Sequence, residues 1–416
     1  MFESMHSDRH EEPWKVLFRH LPSQSCDHQL WWERLAPVIG SSLGLTDYGL
    51  GAQYRNLLLI YSIVIPSLGP FPNKNGAKST WINCMANNAG PLDVSVNYQQ
   101  GSKCAFRITV EPVGLHAGGQ SDIINELAPK SLLQSLNHIQ PDIDFTWFDH
   151  LDRTLILNTQ QARQYWSLME HLPCKSQTVI GLDLHEDSFT VKPYLSPLLN
   201  AAATGDNFLR VMFDNLRDLC STSNLKLGLS KVEEYLSSTT HKIQGEKTYL
   251  SFDCKSPTQS RIKIYSAVDV TSLDQVHDFW TLGGRLQGLD IDNGFRIVEK
   301  MWNSIYRCQM PSAKSKEFLT VNFNWELSPK DGNVAPKAYF LVSDDYDKHI
   351  SLAVIDLFQE LGWKDHIHRH KALEKEAYSA HDLEGRTDIY MWLALAYSTR
   401  SGPYVTVYTN PLARRV

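Results

Sequence analysis

SFDCKSPTQSRIKIYS (Ser251–Ser266) holds two strand-like runs around a Ser-Pro turn, and the second run alternates strictly. A strand sends successive side chains to opposite faces. Arg261, Lys263 and Tyr265 therefore share one face, and Ile262 and Ile264 share the other. The isoleucines belong against a hydrophobic layer, which leaves two cations and a phenol on the far side. On one strand alone, solvated Arg and Lys would be the ordinary explanation. The same phase recurs along the chain, and the recurrence decides the fold.

Outward from this hairpin (Lys247–Cys254 with Arg261–Val268), four more pairs of runs carry β-branched and aromatic residues between turn residues. They are Asp93–Tyr98 with Cys104–Pro112, Thr178–Leu184 with Ser188–Leu195, Phe318–Leu327 with Lys337–Val342, and Asp388–Tyr397 with Pro403–Thr409. Helical patterns fill the intervals at Ser121–Asn137, Asp206–Ser223, Leu273–Gly288, Gly294–Arg307, His349–Leu361 and Lys371–His381. The chain thus reads as an α+β protein of five repeated ααββ units. Ten antiparallel strands rarely stay an open sheet; closing them into a β-barrel ringed by helices removes the edges. The expected organisation is a flexible tail over residues 1–12 and one barrel domain over 13–416. The competing organisation is two α+β domains divided near Ser223–Thr240.

The other second strands repeat the pattern: Arg107 with Thr109 and Glu111, Lys192 with Tyr194, Lys337 with Tyr339, and Tyr404 with Tyr408. Val191 and Pro193 take the apolar side. If the apolar sides meet the helices, the cations and tyrosines line the lumen. Buried, unpaired cations cost several kcal/mol each unless an anion neutralises them. A diphosphate wants Arg and Lys donors converging from different strands. Tyrosine π-faces beside it would stabilise a carbocation by about 0.5–2 kcal/mol each when desolvated. Cations to draw off a diphosphate, with rings to shelter an allyl cation, meet the requirements of prenyl transfer.

With 416 residues, 42% of them hydrophobic, the chain can bury a core of that size. A net charge of −6 leaves no footprint for nucleic acid, so phosphate-binding cations must be gathered locally. Seven scattered cysteines, none spaced C-x-x-C, speak against a disulfide framework or zinc knuckle and suit a reducing compartment. The start, MFESMHSDRHEEPW, lacks the apolar core of a signal peptide, and the apolar stretch Leu57–Leu68 is too short to span a bilayer. A cytoplasmic protein without a membrane partner is expected.

Several other motifs carry less. DDYD (Asp344–Asp347) is one residue short of the aspartate-rich D-D-x-x-D pattern and reads as a cap at a helix start. DHIHRH, with His366, His368 and His370, reads as a solvated charged linker rather than a metal site. NGAKST (Asn75–Thr80) lacks the Gly-Lys pair of a P-loop. GLDLHED (Gly181–Asp187) reads as a strand end and its turn. No metal ligand set or cofactor motif is expected.

From about Trp14 to the C-terminus the chain resembles the dimethylallyltryptophan synthase family of aromatic prenyltransferases. The resemblance lies in IPSLGPFP (Ile65–Pro72), GPLDVSVNY (Gly90–Tyr98), FRITVEPVG (Phe106–Gly114), VKPYLSP (Val191–Pro197), the opening stretch, WTLGGRL (Trp280–Leu286), PKAYF (Pro336–Phe340) and PYVTVY (Pro403–Tyr408). It implies a ten-stranded antiparallel barrel and metal-independent prenyl transfer, in secondary metabolism, from a prenyl diphosphate, dimethylallyl first, to an aromatic small molecule. Arg107, Lys192, Arg261, Lys263 and Lys337 would hold the diphosphate, and Tyr194, Tyr265, Tyr339, Tyr390 and Tyr404 would form the shield. Where indole-prenylating members carry Glu, this chain has Asp93. Where tryptophan-specific members have a lysine, it has Val179 and Ile180. Both departures keep a phenolic or polyketide acceptor beside an indole or tryptophan-derived one. A terpenoid cyclase and a non-catalytic isoprenoid- or aromatic-binding barrel are the alternatives on the same fold. Oligomeric state is left open, a homodimer included.

Overall fold

The computed structural model describes residues 11–72, 81–85, 90–101, 104–220, 223–307 and 317–414. Ten strands appear where the alternating runs lie: β1 (Leu92–Gln99), β2 (Cys104–Val110), β3 (Thr178–Leu184), β4 (Phe189–Leu195), β5 (Gln244–Phe252), β6 (Ile262–Val270), β7 (Leu319–Leu327), β8 (Val334–Leu341), β9 (Tyr390–Ser398) and β10 (Gly402–Thr409). Each strand pairs with its chain neighbours, and β1 pairs with β10, so the sheet closes into an antiparallel barrel. The closing register sets Ser95 opposite Tyr408 and Asn97 opposite Thr406. The five hairpins thus form one barrel rather than two separate sheets. Ser223–Thr240, the alternative boundary, holds the helix Leu225–Ser238.

Strand alternation sorts the side chains as the period-two reading requires. Phe106, Ile108, Ile262, Ile264, Phe323 and Trp325 face outward and are fully buried under helices. Burying side chains of this kind contributes roughly 1.5–3 kcal/mol each. The helix Leu273–Thr281 shows how the outer layer seats itself. Phe279 stacks on Phe323 with ring centroids 5.2 Å apart, and the Trp325 indole donates to the Phe279 carbonyl at 3.2 Å. At the fifth hairpin Gly402, with φ +70°, supplies the left-handed residue that the turn needs.

Three expectations are corrected in the outer layer. DHIHRH is part of the helix Lys364–Glu376, beginning seven residues earlier than the helix expected from Lys371. His366 and His370, four apart, share its buried face: His366 Nε2 meets the Gln99 carbonyl at 2.8 Å and His370 Nε2 meets the Tyr390 hydroxyl at 2.9 Å. Asp347 begins the helix Asp347–Glu360, yet its carboxylate accepts from the backbone N–H groups of Asp388, Ile389 and Tyr390 at 3.1 Å. It therefore caps the start of β9, not its own helix. Cys84 and Cys174 form a disulfide across 90 residues, with Cα atoms 5.7 Å apart, because one lies just before β1 and the other just before β3. Among the described residues no group of three His, Cys, Asp or Glu could hold a metal ion, and no helix is long and apolar enough to cross a membrane. Asn75–Thr80 and most of the tail lie outside the described residues.

Candidate active site

One end of the lumen collects the cations. Arg107 comes from β2, Lys192 from β4, Lys263 from β6 and Lys337 from β8, with Arg261 just before β6 at the mouth. Together they line a cavity of about 230 Å³. None of the first four is solvated as a surface lysine would be, and three carboxylates neutralise most of the cluster. Asp183 takes Arg107 Nε at 3.0 Å and also pairs with Lys192. Asp253, almost fully buried, takes Lys263 Nζ at 2.9 Å and Arg261 Nη2 at 2.8 Å. Glu326 takes Arg261 Nη1 at 3.0 Å. Five cations against three carboxylates leave two positive charges uncompensated.

The electrostatics follow from that pairing. Burial would raise Asp183 and Asp253, but Arg107 and Lys192 on the first, and Lys263, Lys192 and Arg261 on the second, hold both carboxyls far below the usual range. Burial and the nearby Lys263 ammonium push Lys192 down to about 8, despite Asp183. Lys337 has no carboxylate partner among the described residues. Its Nζ meets Thr406 Oγ1 at 3.3 Å and lies 4.9 Å from the ring centroids of Tyr339 and Tyr404. Burial, with Arg107 and Lys192 nearby, holds it well below an ordinary lysine.

Beyond the cations runs a girdle of phenols. Tyr194 and Tyr265 have ring centroids 5.5 Å apart, and Tyr265–Tyr339 and Tyr339–Tyr408 follow at 5.9 Å each. Gly181 makes room for the first ring: a Cβ there would sit 3.0 Å from Tyr194 Cε2. Past the girdle lies a second cavity of about 170 Å³, lined by Asp93, Val179, Tyr249, Asn322, Trp392 and the same four tyrosines, among others. Asp93 faces Thr109 across the β1–β2 register, and Thr109 hydrogen-bonds its carboxylate, while Oδ1 is buried without a partner among the described residues. Burial pushes its carboxyl up to about 7, against that Thr109 bond.

The structure brings together Arg107, Lys192, Tyr194, Arg261, Lys263, Tyr265, Lys337, Tyr339 and Tyr404, with Asp93 on the far side of the tyrosines. Tyr390 is not among them. A register shift between Tyr408 and Thr409 sets Tyr390 opposite outward-facing Thr409, and its hydroxyl meets His370 and Glu374 under the helix layer. Tyr408 takes the place in the girdle that Tyr390 was expected to hold. Sequence reading also missed the counter-charges. Asp183 was assigned to a strand end and turn, and it points into the lumen. Glu326 had a signal: Asn322, Asn324 and Glu326 alternate with Val321, Phe323 and Trp325.

A closed antiparallel barrel whose lumen pairs a cation cluster with a tyrosine girdle defines an aromatic prenyltransferase, and the relatives agree. The sequence model of tryptophan dimethylallyltransferase matches residues 27–372, and the chain belongs to that family. It is 28% identical to tryptophan dimethylallyltransferase 1 of Epichloe coenophiala, covering 96% of this chain and 93% of that one. It is 29% identical to the indole diterpene prenyltransferase anaPT of Neosartorya fischeri, covering 97% and 92%. The crystal structure of AnaPT superposes with a TM-score of 0.87 at 26% identity, over 97% of this chain and 99% of that chain. NotF in complex with brevianamide F and DMSPP superposes with a TM-score of 0.86 at 26% identity, over 98% and 100%.

Proposed function

We propose that this prenyltransferase moves a dimethylallyl group from its diphosphate to a carbon of an electron-rich aromatic bearing an N–H or O–H. The observation that carries the reading is the tyrosine girdle standing between a cationic cavity and a cavity with one unpartnered carboxylate oxygen. The diphosphate sits among Arg107, Lys192, Arg261, Lys263 and Lys337, which stabilise the charge that develops on it. The bond from the donor's first carbon to oxygen breaks, and the electron pair leaves with the diphosphate. The allyl cation is held against Tyr194, Tyr265, Tyr339 and Tyr408, with Tyr404 above it beside Arg107 and Lys337, and the barrel keeps water away. Asp93 accepts the acceptor's N–H or O–H, setting a ring carbon about 3–3.5 Å from the cation. The ring carbon attacks, a C–C bond forms, and Asp93 collects the proton released on rearomatisation.

An indole acceptor is supported by the relatives, among them a tryptophan dimethylallyltransferase and an indole diterpene prenyltransferase. A phenolic acceptor is kept as a second reading because Asp93 is shorter than the family's usual Glu and reaches less far into the cavity. The test is mass spectrometry of products from dimethylallyl and geranyl diphosphates against a panel of indoles and naphthols. A dimethylallylated aromatic is expected. A cyclic terpenoid formed from donor alone, or donor bound and returned unchanged, would replace this reading with one of the alternatives.

A further inference from the structure

Glu111 follows β2 at the Asp93 end, fully buried, and takes no part in the chemistry above. Its oxygens accept from Trp81 Nε1 at 2.8 Å and from the Cys84 backbone N–H at 2.6 Å. The Met85 backbone N–H and the Ser176 hydroxyl also hydrogen-bond it. Trp81 packs on Val113 and Ala117, and Cys84 is disulfide-bonded to Cys174, two residues before Ser176. Two segments that cross this end of the barrel are therefore tied to one carboxylate and to each other. Cys84 and Met85 line the Asp93 cavity.

We propose that Glu111 is a positioning residue that fastens Trp81–Met85 as a wall of the acceptor cavity, with the Cys84–Cys174 disulfide as the second fastening. The inference rests on the reading that the acceptor occupies the Asp93 end. A carboxylate buried this deeply is costly unless several donors hold it. Here the donors come from the covering segments, not from barrel strands, so satisfying the charge and seating the wall are one event. A seated wall narrows the cavity around the acceptor and keeps water from the cation.

Glu111→Gln keeps the shape but replaces one accepting oxygen with an NH2 group, so either the Trp81 or the Cys84 bond is lost. Cys174→Ser opens the covalent fastening from outside the cavity. Both variants are assayed without reductant, with circular dichroism to establish folding. For E111Q the acceptor KM is expected to rise roughly tenfold, the change that losing one charge-assisted hydrogen bond gives. The donor KM is expected to stay put, and a larger share of consumed donor should end as prenyl alcohol. C174S should move the same two readouts in the same direction. Wild-type acceptor KM and wild-type alcohol share in both folded variants would overturn the wall while leaving the two-ended reading standing. If E111Q does not fold, C174S decides alone on the same readouts. A raised donor KM with an unchanged acceptor KM would instead overturn the assignment of the ends, and the wall with it.

Discussion

The two ends of the lumen are built on opposite principles. At the cationic end almost every charge meets its opposite: Arg107 and Lys192 on Asp183, Lys263 and Arg261 on Asp253, Arg261 again on Glu326. At the other end Asp93 Oδ1 is buried with no hydrogen-bond partner among the described residues. A buried polar group left unpaired costs about 1–3 kcal/mol, which a hydrogen-bonding ligand returns. The pairs at the first end fix the positions of the cations before any ligand arrives, which is what stabilising a leaving group requires. The second end stores an unmet demand, which is what selecting a donor of one hydrogen bond requires. On the proposed reading, the difference separates a site tuned for bond breaking from one tuned for recognition.

The sharpest way to break the comparison is Lys263→Ala. It removes one charge from the ordered cluster and leaves Asp253 with a weaker set of partners. By analogy with removing one preorganised donor from a transition-state site, kcat should fall by about 10²–10³. The acceptor Kd, read by fluorescence titration, should change little. Near-normal donor consumption would remove the role given to that lysine, and a large loss of acceptor binding would show that the ends are not independent.

How far this contrast could be read from the sequence depends on which end is considered. Lys192–Tyr194, Lys263–Tyr265 and Lys337–Tyr339 repeat one two-residue phase, and strand geometry converts such a phase directly into a shared face. That made the barrel, its lumen and its cations legible. Tyr390 broke the rule because a bulge in β9 reverses the parity, and one sequence gives no register against which to see it. Asp183 and Asp253 were hidden for another reason. A carboxylate near a turn is ordinary, and only closure of the barrel sets each beside cations from other strands. The Cys84–Cys174 bond was hidden likewise, since 90 residues of chain say nothing of proximity. At the Asp93 end the sequence supplied Asp93 and Val179 and set Glu111 in phase with Arg107; the wall, and what Glu111 holds, required coordinates.

A smaller effect sharpens the recognition end. The Asp93 carboxyl is raised to about 7, so lowering pH through 7 protonates it and removes the charged acceptor of the hydrogen bond. The kcat/KM for the aromatic, measured at limiting donor so that it reports the free enzyme, should fall about tenfold per pH unit below that point. It should level above 7, then decline above about 8 as Lys192 loses its proton. Asp93→Asn should lower kcat/KM roughly tenfold at pH 8 and abolish the acid limb while leaving the alkaline one. The stability sign agrees. A carboxylate raised on folding opposes folding once pH exceeds its unfolded value, so the Asn variant should gain thermal stability relative to wild type as pH rises through 7. An acid limb that survives in Asp93→Asn would assign it to another group.

The smallest expected effect is none, and it bears on where the positive charge comes from. A metal that assists diphosphate departure is held by carboxylates free to bind it. Among the described residues Asp183 and Glu326 are the acids lining the cationic cavity, with Asp253 paired to its cations, and each already carries Lys or Arg partners within 4 Å. A divalent ion would have to displace those cations from partners that hold the carboxyls of Asp183 and Asp253 far below their usual range. The cluster's own two uncompensated charges already offset much of the diphosphate's. Turnover measured after exhaustive chelation should therefore equal turnover with added magnesium. Loss of activity on chelation, restored by magnesium, would mean that the paired carboxylates open to take a metal and that the cationic end is less complete than its ion pairs imply.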